Sequence, residues 1–127
     1  MPHHVERPDG TPPTNGYSHV VTTTGRLVFV SGQVPLDAEG ALVGADDPEA
    51  QARQVFANIA AALRGVGASM DNLVKLGFYL TDLADLPVVR KVRDEVIGTP
   101  PPASTLVQVA GLVHPAFRVE IDAVAEL

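Results

Sequence analysis

The chain has no cysteine among its 127 residues, which excludes disulfides, a thiolate nucleophile and sulfur-ligated zinc. Basic side chains are few: nine Lys and Arg stand against 15 Asp and Glu, for a formal charge of −6. They are also scattered, so the electrostatic footprint of a phosphate-backbone binder is missing and nucleic acid is not an expected partner. No apolar run reaches the length of a bilayer span. The opening MPHHVERPDG carries charge and proline where a signal peptide needs an apolar stretch. A soluble cytoplasmic protein with no membrane partner is the expectation. His3, His4, His19 and His114 follow no metal-ligand spacing, and Ser31 and Ser104 lack the histidine and acid of a nucleophilic triad. No metal site is expected.

What is present has regular patterning. Proline, glycine and histidine crowd the start, and residues 1–14 read as a flexible segment of a single domain spanning 1–127. YSHVVTTT and LVFVS then predict two strands joined at Gly25 and Arg26 as a hairpin. Asp47, Pro48 and Glu49 form a helix start, with Ala52, Phe56, Ile59, Leu63 and Val66 at helical spacing and Gly65 and Gly67 as the stop. LVKLGFYL alternates as a strand. Asp85 opens a second helix carried by Leu86, Val89, Val92, Val96 and Ile97, after which STLVQVA and FRVEIDAVAEL close the chain as strands.

This order predicts an α+β fold of two layers, a mixed sheet of five or six strands with two helices on one face. At about 4.8 Å per strand the sheet is some 25 Å wide, and two helices cover only one side of it. LVFV and STLVQV are nevertheless apolar on both faces. A second copy of the chain is the expected cover for the other side.

The final strand holds two carboxylates. Arg118, Glu120, Asp122 and Val124 share one face and Val119, Ile121 and Ala123 the other. A solvated row of surface ion pairs is the ordinary reading of such a face, and a carboxylate aimed into a cleft is the alternative.

NGYSHVV, LVFVSGQVPLDAEGAL, the QVFANIAAAL helix, NLVKLGFYLTDLADL and LVHPAFRVEIDAVA together resemble the RidA family, also called YjgF/YER057c/UK114, from about Asn15 to Ala125. The resemblance implies a chorismate-mutase-like fold and a homotrimer with ligand pockets between subunits. It also implies cofactor-free hydrolysis of reactive enamines or imines to a carbonyl product and ammonia. On it, Glu120 is the acid–base residue, Tyr17 lines the pocket, Gly32 offers a backbone N–H, and Thr105 lies on the pocket strand. Members of the deaminase branch carry an arginine in the segment PPASTLVQVA, as P-A-R-S/T, and this chain has Ala103 in its place. Arg90, where many members have asparagine, is the candidate substitute, with Arg26 and Arg118 as weaker ones. A binding protein for a small carbonyl or carboxylate metabolite is the second reading implied. An endoribonuclease or translation inhibitor is the third, which net acidity and scarce aromatics disfavour.

Overall fold

The computed structural model describes residues 2–127. Eight elements follow in order: β1 His3–Val5, β2 Val20–Thr22, β3 Leu27–Gln33, α1 Pro48–Arg64, β4 Leu73–Leu80, α2 Leu86–Val96, β5 Ala103–Gln108 and β6 Val119–Glu126.

Helix α1 starts where its capping chemistry places it. Asp47 accepts a hydrogen bond from the Ala50 N–H at 3.1 Å, satisfying one of the donors that a helix start leaves open. Ala52, Phe56, Ile59 and Leu63 recur at intervals of three or four, and all are buried. The helix ends at Gly65, so Val66 falls outside it and is exposed. Helix α2 buries Val89 and Val92 from the same side.

Four strands form the main sheet in the order β3-β6-β4-β5, with β4 and β5 parallel and the other two pairs antiparallel. A parallel pair needs a crossover, and α2 lies between β4 and β5 in the chain. Period-two alternation then divides the faces. Leu76, Phe78 and Leu80 of β4 and Val119, Ile121, Ala123 and Ala125 of β6 are buried with the helices in one core. Each fully buried Leu, Ile or Phe contributes about 1.5–3 kcal/mol by leaving water. The opposite face carries Leu27, Phe29, Lys75, Tyr79, Thr105 and Val107. Phe29 is 74% exposed there.

The architecture is the expected α+β one, two helices with a mixed arrangement of six strands, divided into sheets of four and two. One pairing differs from expectation. Residues 17–24 do not form a long strand against β3; only Val20–Thr22 is a strand, and it pairs with His3–Val5. The structure thus has a strand inside the opening segment. The cause is visible in hydrogen bonding: Ser18 donates its N–H to the Pro102 carbonyl at 2.9 Å and its hydroxyl to Pro101, which draws the segment toward the β5 entry instead. No helix of the described residues is long and apolar enough to cross a membrane.

Candidate functional site

The site is built on the uncovered sheet face, and the register of β6 sets its layout. Glu120 lies opposite Tyr79 and Asp122 opposite Gly77, so two carboxylates project on successive rungs of one face. Both side chains are half-buried. They lean in different directions.

Glu120 leans toward β3. The β3–β6 register slips between Val30 and Gln33, a bulge that takes Ser31 and Gly32 out of the ladder. A Cβ at Gly32 would collide with the Glu120 carboxylate, so only glycine lets this acid lie on the β3 backbone. Asp122 leans toward β4. A Cβ at Gly77 would collide with its Oδ1, and the Tyr79 hydroxyl donates to Oδ2 at 3.1 Å. That bond, with the Asp122 charge, burial and the nearby Glu120 charge, holds the Tyr79 phenol above its usual pKa. Tyr79 therefore stays protonated near neutrality and acts as a donor.

Between these groups is a cavity of about 360 Å³ whose polar lining comes from Ser31, Lys75, Tyr79, Thr105 and Asp122, beside the backbone of Gly32. Lys75 faces Ala103 across the β4–β5 pair, and Thr105 faces Gly77. A second depression of about 550 Å³ shares Gly32 and runs over Asn58. Asn58 is committed to structure there, donating to the carbonyls of Val34 and Leu36 at 3.0 and 2.9 Å.

The sequence-derived candidates divide into two groups. Gly32 and Thr105 line the cavity, Glu120 adjoins it through its contact with Gly32 and is not part of the lining, and Ala103 pairs with the lining residue Lys75. Tyr17 and Arg90 do not reach it. The Tyr17 ring lies edge-on to His19, centroids 5.5 Å apart, and Arg90 is exposed on α2. Asp94, four residues further along the helix, is taken by the buried Arg93 at 2.8 Å. Arg93 also donates to Asn15 and packs where a side chain at Gly16 would be, fixing the approach to Tyr17. Arg118, a weaker candidate, is committed to Asp85 through two hydrogen bonds at 2.8 and 2.9 Å. Asp85 stands at the start of α2 as the sequence suggests, its carboxylate spent on Arg118 and making no cap to the helix.

Lys75, Tyr79 and Asp122 escaped sequence reasoning as site residues. The signal existed in the alternation of LVKLGFYL, which sets Lys75, Gly77 and Tyr79 on one face, but nothing in one strand shows that Asp122 lies across from Gly77. Among the described residues no group of three or more His, Asp or Glu is arranged to hold a metal ion.

Comparison with known proteins adds a further finding. The family model described as endoribonuclease L-PSP matches residues 9–127. The chain is 35% identical, over the whole of both sequences, to the 3-aminoacrylate deaminase RutC of Acinetobacter baylyi. It is 34% identical to a RutC family protein of Pyrococcus abyssi, covering 89% of this chain and 87% of that one. Among solved structures, the Rid family protein YyfB of Yersinia pestis, a protein of unknown function, superposes with a TM-score of 0.91 at 32% identity, covering 99% and 98% of the two chains. RidA from a Psychrobacter species superposes at 0.76 with 34% identity, covering 98% and 100%.

Proposed function

Since the chain belongs to the endoribonuclease L-PSP family, the family of RutC and RidA, we propose that it hydrolyses a small reactive imine or enamine without a cofactor. The observation that carries this is the Glu120 carboxylate seated against Gly32, half-buried beside a cavity.

An iminium carbon is already electrophilic, so the protein has to position the substrate and a water and to move protons near neutral pH. An enamine first takes a proton on carbon to give the iminium. Water then attacks the C=N carbon while Glu120 accepts a proton from it. The tetrahedral carbinolamine collapses as nitrogen takes the proton held by Glu120, the C–N bond breaks and the hydroxyl gives its own proton to the freed carboxylate, so that ammonia and a carbonyl product leave. The relative named for 3-aminoacrylate supports this reaction class.

A homotrimer with pockets at its seams supplies the remaining parts of the reading. Leu27, Phe29 and Val107 leave an apolar surface around the cavity that a neighbouring copy would cover. In that assembly Tyr17 and Arg90, distant from the cavity within one chain, reach the pocket of an adjacent subunit.

Glu120→Gln is the direct test, because it keeps shape and removes the proton carrier. We expect a folded protein and a loss of ammonia release from imines by about a hundredfold or more, in line with what general acid–base groups contribute. Unchanged turnover would remove Glu120 from the mechanism.

One observation favours a second reading, a binding protein without turnover. β5, the strand on which the deaminase branch carries its carboxylate-binding arginine, reads ASTLVQ and holds no cation in any register. A wild-type protein inactive on every imine supplied would support it. Ribonuclease activity is disfavoured by the charge of −6.

A further inference from the structure

The cavity on the open sheet face contains an unpaired cation and a carboxylate that do not neutralise each other. Lys75 is exposed, lines the cavity, and makes no ion pair or hydrogen bond through its ammonium among the described residues. Asp122 lines the same cavity one rung away, with its Oδ2 held by Tyr79 and its Oδ1 over Gly77. The Tyr79 bond fixes the orientation of the Asp122 carboxylate, and a hydroxyl that donates leaves its negative charge in place.

The strand that would otherwise provide a cation supplies none, and Lys75 stands directly opposite Ala103, at the start of that strand. An ammonium on a flexible stem can reach a carboxylate over a small neighbour where a larger one would block it. Thr105, beside Gly77, puts a hydroxyl on the same wall.

We propose that this cavity binds a short amino or imino acid end to end, its carboxylate on Lys75 and its ammonium or iminium nitrogen on Asp122. Asp122 is thereby a binding residue distinct in role from Glu120, which is turned toward Gly32 and is left free to handle protons. The inference deepens the proposed function by naming the residues that hold the two ends of such a substrate, and rests on that function only for turnover, not for binding.

Binding of unreactive probes separates the two. 3-Aminopropionate and propionate, titrated by calorimetry into wild type, Lys75→Met, Lys75→Arg and Asp122→Asn, with circular dichroism as a check on folding, read the site without chemistry. We expect wild type to bind 3-aminopropionate more tightly than propionate. Lys75→Met should weaken both by about tenfold or more, the scale of a charge-assisted contact, and Lys75→Arg should recover most of it. Asp122→Asn should reduce 3-aminopropionate to the level of propionate and leave propionate unchanged. Absence of wild-type binding, or Lys75→Met binding as wild type does, overturns the inference, as does an Asp122→Asn variant that keeps its preference for the amine. Glu120→Gln with probe binding intact and turnover gone supports both readings. Probe binding intact in a wild type that turns over no imine supports this site and rejects the hydrolase.

Discussion

Two glycines decide where the acids of β6 rest. Gly32 and Gly77 flank the strand, and each lacks the atom that would push a carboxylate away. Gly32→Ala should displace Glu120 while leaving the fold intact, since Gly32 is exposed in a bulge. Misplacing a reacting group by about 1 Å reduces rate on the order of a hundredfold. Imine turnover of the purified variant measures this, and Gly111→Ala is the control: like Gly32 it has no positive φ, but open space surrounds it, and it should leave turnover unchanged. At this scale the sequence disclosed identities without orientations. Glu120 stands out as a candidate from its VEI setting, whereas the lean of Asp122 toward Tyr79 depends on a cross-strand register that no local pattern encodes.

Elements were legible in proportion to how locally they are determined. Helix α1 could be read because Asp47, Pro48 and a run of apolar residues at helical spacing all lie within one stretch. The pairing of β2 could not, because its competitor for partner is β1, and the choice between β1 and β3 is settled by Ser18 binding carbonyls some 83 residues away. Gln51 shows how a distant link positions the site. It is fully buried on α1, donates to the carbonyls of Gly44 and Ala116 at 2.9 Å, and accepts from the Arg118 N–H at 2.8 Å, two residues before Glu120. A buried side chain with three backbone partners from two loops fixes the entry of β6. Gln51→Ala leaves those groups without their partner and should destabilise the protein by about 1–3 kcal/mol, read from urea unfolding. A variant as stable as wild type would show that water replaces the side chain.

For the whole molecule, the uneven layering matters most. Two helices shelter one side of the four-stranded sheet, and the other presents Phe29 at 74% exposure with Leu27 and Val107 nearby. Counting layers from the sequence anticipated this imbalance, because strands apolar on both faces outnumber the helices available to cover them. If copies of the chain meet on this side, Phe29→Glu inserts a charge into the contact. Sedimentation should then show wild type at about three times the 13.3 kDa of one chain and the variant at the single-chain mass. Wild type sedimenting as a single chain would exclude the proposed seam pocket.

The order β3-β6-β4-β5 leaves β3 and β5 as the outer margins of that sheet. On each, alternate amides and carbonyls point away from the neighbour they are bonded to, and β5, six residues with no charge, has nothing on it to repel an incoming segment. Stored concentrated or warmed, the protein would start to clump by strands docking onto this border.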